Sequence, residues 1–112
     1  AEMVKYFTNC FLATKVSFAN EMYNICQQLD LDYDKVVEYA TYDERLGKSH
    51  WAVPGPDGDF GYGGHCLPKD LSAIVSEFDT YGLLEAVEQV NDQVREDRDW
   101  EHMVGRAVLE DE

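Results

Sequence analysis

Basic residues are scarce in this chain: 9 Lys and Arg stand against 23 Asp and Glu, for a formal net charge of −14. A surface of that sign repels phosphate backbones and anionic membranes, which argues against nucleic-acid or membrane binding as a general property. Long apolar runs are lacking too. No stretch approaches the roughly 20 residues needed to cross a bilayer, and no signal-peptide core opens the sequence. Cysteine is rare: Cys10, Cys26 and Cys66 form no C-x-x-C pair and no H-x-x-x-H accompanies them, so no metal site is assigned. An odd count without framework spacing suits a reducing cytoplasm better than secretion. Also missing is a G-x-G-x-x-G turn inside a βαβ pattern, which excludes a dinucleotide-binding unit within these 112 residues. The 45% apolar and 12% aromatic content is nevertheless enough for a folded core, so the charge does not signal disorder.

What is present is helical periodicity. Residues 2–29 carry Val4, Phe7, Phe11, Phe18, Met22, Ile25 and Leu29 at spacings of three, four or seven, uninterrupted by proline or glycine, and predict one long helix. At about 1.5 Å per residue it extends roughly 40 Å, more than so small a globule covers, so part of its apolar surface is expected to meet another chain or a missing domain. No initiating methionine and no cap at Ala1-Glu2 give the further expectation of a chain cut from a longer protein. Asp30-Leu31-Asp32 is placed to cap a second helix over 33–42, with Val36, Val37 and Ala40 inward, and 43–46 should add a turn ended by Gly47. A loop with Pro54-Gly55-Pro56-Asp57-Gly58 follows. A third helix is predicted over 68–81 and a fourth over 83–97, on the stripe Leu84, Val87, Val90 and Val94. In the acidic tail, Trp100, Met103 and Val104 offer a last docked turn. The fold class is all-α: a long N-terminal helix packed with three or more shorter helices, and one long Gly/Pro-rich loop before the cysteine helix.

One stretch departs from a generic helical domain: Phe60-Gly61-Tyr62-Gly63-Gly64-His65-Cys66-Leu67-Pro68-Lys69-Asp70. Three glycines in four positions let the backbone turn left-handed or lie against a ligand, and Cys66 follows just before a proline able to open a helix. A thiol at a helix N-terminus beside Lys69 is where nucleophilic cysteines sit, although buried structural thiols and ordinary turn glycines share the pattern. Lys5 and Asn9 stand four apart, on one helical face a turn from each other. With Cys66 and Asp70 they make a set able to oxidise an alcohol to an acid through a thioester. Cys66 adds to an aldehyde, Lys5 and Asn9 stabilise the oxyanion, and Asp70 orients Lys5 or a water, or serves as base. Lys5, Arg45 and Lys69 offer a local basic pocket for a phosphorylated substrate.

Gly61-Tyr62-Gly63-Gly64-His65-Cys66-Leu67-Pro68-Lys69-Asp70 resembles the catalytic-cysteine element G-F-G-G-S-C-[FL]-x-K-D of the UDP-glucose/GDP-mannose dehydrogenase family. Residues 1–15, AEMVKYFTNCFLATK, resemble that family's A-E-x-x-K-x-x-x-N-x-F-L-A-x-K helix, and Asp43-Glu44-Arg45-Leu46-Gly47 its D-x-R-[IL]-G segment. The resemblance continues more weakly through Leu83–Val87 and Val90-Asn91 and fades in the last 20 or so residues.

The resemblance implies a UDP-sugar substrate oxidised to its uronic acid with NAD as cofactor. It implies Cys66, Lys5, Asn9 and Asp70 as catalytic residues, and substrate contacts from Lys5, Asn9, Arg45, Phe60, Gly61, Tyr62 and Gly63. Cys66 and Lys69 would lie toward the cofactor, and Arg45 would reach across a dimer interface to the partner's substrate. Residues 1–112 then correspond to a central helical domain, forming a homodimer through its first helix, with the NAD-binding and nucleotide-sugar-binding domains absent from this chain. His65 stands where the family commonly has serine, and the 48–59 loop is longer than in many members, so no contacts are assigned there. A non-catalytic homodimerisation module, or a relative acting on GDP-mannose or a UDP-N-acetylhexosamine, remains an open alternative.

Overall fold

Residues Glu2–Gln28 form α1, against which the three other α-helices pack, in a computed structural model that describes residues 2–96. The helix ends one residue before its expected boundary. Asp30 takes a left-handed conformation (φ 57°), and the N–H groups of Leu31 and Asp30 donate to the carbonyls of Cys26 and Gln27. This is a Schellman closure with aspartate in the usual glycine slot. Asp32 then caps α2 (Tyr33–Ala40), its carboxylate accepting from the backbone of Asp34 and Lys35. A 3-10 turn, Glu44–Leu46, follows and is closed by Gly47.

The last two helices differ from expectation at their ends. α3 spans Cys66–Glu77, so Cys66 is its first residue, and it stops before Tyr81 because Phe78 is extended and Phe78-Asp79-Thr80-Tyr81 are weak helix formers. α4 spans Leu83–Val94, capped C-terminally by Arg95. The helix therefore stops short of its expected end at 97, because Arg95 turns extended as its C-cap, while the docking of Trp100, Met103 and Val104 lies outside the described residues. Among those residues the only regular elements are helices, and the long loop 47–65 joins the 3-10 turn to α3.

Burial reverses the face of α1 that periodicity singles out. One core cluster joins Cys10, Ala13, Tyr62, Leu71 and Val87, and a second joins Ala19, Cys26, Tyr33 and Val53. The inner face of α1 is therefore built of small groups, with Ser17 and Asn20 buried beside them. Small side chains let α3 and α4 approach the α1 backbone closely. The large groups Val4, Phe7, Phe11, Phe18, Ile25 and Leu29 stay exposed, Phe7 at 74%. On α2, too, the inward residues are Tyr33 and in part Val37, whereas Val36 and Ala40 face out.

Candidate active site

Asp70 is fully buried one turn into α3, and its carboxylate meets α1. Asn9 donates to Oδ2 at 2.6 Å, and the half-exposed ammonium of Lys5 stands 3.8 Å from Oδ1. Oδ1 receives no hydrogen bond. A buried carboxylate oxygen without a hydrogen-bond donor is costly, and here the Lys5 ammonium offsets its charge. Cys66 lies four residues before Asp70, hence about one turn away on the same helix, and its thiol is free and exposed. Three of the four predicted catalytic residues are thus in direct contact, with the fourth a turn away. By contrast Cys10 and Cys26 are buried, and burial together with the nearby Asp70 charge pushes the Cys10 thiol up.

The glycine stretch is held in place by two buried asparagines. Asn20 of α1 accepts from the Gly61 N–H at 3.1 Å; Asn91 of α4 accepts from the Tyr62 N–H at 2.7 Å and returns a bond to the Tyr62 carbonyl at 3.0 Å. Gly61 sits at φ 71° with Asn91 so close that a Cβ there would collide with the amide oxygen. Glycine is therefore required on both conformational and steric grounds. Tyr62 is core, its hydroxyl pushed well above the usual phenol range by burial and by the Glu88 and Asp92 charges. Phe60 packs its ring 5.7 Å from that of Tyr23. Beyond Gly61, a cleft of about 490 Å³ opens among Val16, His50, Pro56, Tyr62, Gly64 and Leu67.

Not every predicted residue joins this site. Arg45 is exposed and its guanidinium is gripped by Asp43 at 2.6–3.2 Å. Its turn is anchored to Lys15, whose buried ammonium donates to the Leu46 carbonyl at 3.0 Å. Lys15 lies ten residues beyond Lys5, about 15 Å along the helix, so one chain does not gather Lys5, Arg45 and Lys69 into the expected basic pocket. Lys69 is half-buried in the first turn of α3, and Gly63 lines the cleft. Asn20, Asn91 and Arg95 are site-shaping residues that pattern reading passes over. For Asn91 alone there was a signal, a polar residue four after Val87 on an apolar helical stripe. Among the described residues no three His, Cys, Asp or Glu side chains converge as metal ligands, and no helix is long and apolar enough to cross a membrane.

The chain has relatives among known proteins. UDP-glucose 6-dehydrogenases of Bacillus subtilis (44% identical over 81% of this chain), Haloferax volcanii (40% over 82%) and Pseudomonas aeruginosa (39% over 86%) are similar to it. The chain spans only about a fifth of their lengths, 20%, 21% and 21% respectively. No solved structure matches significantly. The model of the UDP-glucose/GDP-mannose dehydrogenase family, central domain, matches residues 1–93, and the chain belongs to that family.

Proposed function

We propose that the protein carrying this chain is a nucleotide-sugar dehydrogenase of the UDP-glucose 6-dehydrogenase type, oxidising the sugar C6 alcohol to a carboxylate. The observation that carries this reading is the buried Asp70 carboxylate, met by Asn9 and Lys5, one turn from the exposed thiol of Cys66. NAD, when bound, supplies the hydride acceptor for both oxidations. From this chain the exposed Cys66 and the half-buried Lys69, both in the first turn of α3, would face the edge of such a cofactor. Cys66 sulfur bonds to the aldehyde carbon, and the same carbon, once oxidised, stays on Cys66 as a thioester until water releases the acid and returns the thiol. Lys5 and Asn9 donate to the oxygen that carries negative charge at each addition, while Asp70 balances the Lys5 charge and fixes the Asn9 amide. Asp70 Oδ1 takes no hydrogen bond and faces the Lys5 ammonium at 3.8 Å, so a water admitted between the two on substrate binding would find its acceptor there.

The exposed aromatic stripe of α1 supports a second element of this reading, pairing with another copy about a two-fold axis. Such an interface needs about 1,200 Å² to be specific, and apolar area is worth about 25 cal/mol per Å² against a like-charge repulsion screened within ~8 Å. Arg45 then serves the partner's substrate, and the 112-residue chain by itself neither binds NAD usefully nor turns over. The free cysteines fit a cytoplasmic setting.

The test is NADH formation by the full-length protein offered UDP-glucose, GDP-mannose and UDP-N-acetylglucosamine in turn. UDP-glucose should give two NADH per sugar. Oxidation of none of the three would contradict the reading, and oxidation of another alone would reassign the substrate.

A further inference from the structure

The acidic turn before the glycine stretch is fastened by a residue outside the family match, which ends at residue 93. Arg95, the C-cap of α4, has a side chain only 1% exposed. Its guanidinium donates to Asp57 Oδ2 at 2.6 Å and to the Phe60 carbonyl at 3.5 Å, and its Nε stands 3.4 Å from Asp59 Oδ2. Asp59 Oδ1 in turn accepts from the Phe60 and Glu96 N–H groups. The turn closes on itself through Gly55 N–H to the Asp59 carbonyl at 2.9 Å. Arg95 and Asn91 are one helical turn apart, so the end of α4 grips the loop twice, at 57–60 and at Tyr62. Gly55, Pro56 and Asp57 line the same cleft as Gly61–Gly64.

We propose that the cleft lined by Gly61, Tyr62 and Gly63 takes the nucleotide sugar and that Arg95 is a positioning residue for it: by bridging Asp57, Asp59 and the Phe60 carbonyl it fixes the turn whose Gly55, Pro56 and Asp57 line the cleft, and thereby sets substrate affinity. This rests on the functional reading above. A planar, permanently charged fork is the group whose separate nitrogens span two carboxylates and a carbonyl; a lysine ammonium, with all its donors on one atom, lacks that span. Arg95 touches no reacting atom. Its effect therefore falls on binding of the nucleotide sugar and not on the chemical step, and it does not reach the cofactor.

Two variants of the full-length enzyme test this. Arg95→Lys removes the fork, and Asp57→Asn loosens the clamp from its half-exposed end without burying an unpaired charge. Arg95→Lys should raise KM for the nucleotide sugar about tenfold and Asp57→Asn about threefold, with kcat within twofold and KM for NAD unchanged. Amide hydrogen exchange at Gly55, Gly58 and Asp59, which needs no turnover, should quicken in both. Unchanged exchange would overturn the clamp. Faster exchange with unchanged sugar KM, a lower KM for Asp57→Asn, or equal losses in kcat for both variants would overturn the positioning role. A wild-type enzyme inert toward every nucleotide sugar would instead sink the functional reading and the affinity role with it, while faster exchange would leave the clamp itself standing.

Discussion

The two faces of α1 invert the usual relation between side-chain size and burial. Its inner face carries Cys10, Ala13, Ser17, Ala19 and Asn20, all buried, and at its N-terminal end Asn9 and Lys5 turn toward Asp70. Its outer face carries Phe7, Phe11 and Phe18, all more than half exposed. The inner face trades volume for proximity: small and polar groups bring α3 and the loop close enough for amide and carboxylate contacts at 2.6–3.1 Å. The outer face has the area for association and none of the chemistry. On the proposed reading, this division of labour lets one helix serve both a site and an interface.

Substitutions on the inner side should hurt the chemistry or stability of the single chain, and those on the outer side should act through association and leave the stability of the single chain nearly unchanged. The largest effect is expected for Asp70→Asn in the full-length enzyme, with kcat down about 10²–10⁴-fold and melting nearly unchanged, because the amide still accepts from Asn9. Melting that falls in step with activity would make Asp70 structural. Asn91→Ala should cost about 2–3 kcal/mol in chemical denaturation, since it strands the buried N–H and carbonyl of Tyr62. Ala13→Leu overpacks a site with no exposure and should cost about 1–3 kcal/mol. Phe7→Glu should shift monomer stability by less than about 0.5 kcal/mol yet halve the light-scattering mass; a large stability loss would mean the outer face is core after all. The smallest effect concerns acid. Arg95 holds the Asp57 carboxyl below the usual carboxylate range, so its contribution is full above the unfolded value and is lost as pH falls through the folded one. An acid melting series should lose stability there in wild type and flatten in Asp57→Asn.

Helices were legible because periodicity and caps are local: Asp32 and Gly47 mark the boundaries they were expected to mark. The buried side of α1 was not. Hydrophobic spacing finds an amphipathic helix but assumes the bulky stripe faces its own core, and here that stripe is Phe7, Phe11 and Phe18. The Lys5–Asn9–Asp70 contact was within reach of the resemblance, since two i, i+4 pairs on packed helices had only to be brought together. Arg95 was out of reach, because an arginine in the last turn of an expected helix reads as solvated until Asp57 and Asp59 are folded onto it 36–38 residues away.

The central claim is that Cys66 carries the substrate covalently, and the mass of the Cys66 peptide during turnover tests it most directly. Full-length enzyme with Asp70→Asn, acid-quenched in the presence of UDP-glucose and NAD, should show a sugar-acyl adduct on Cys66 and none on Cys10 or Cys26. Steady NADH formation with no adduct on Cys66, together with wild-type rates from Cys66→Ser, would contradict it.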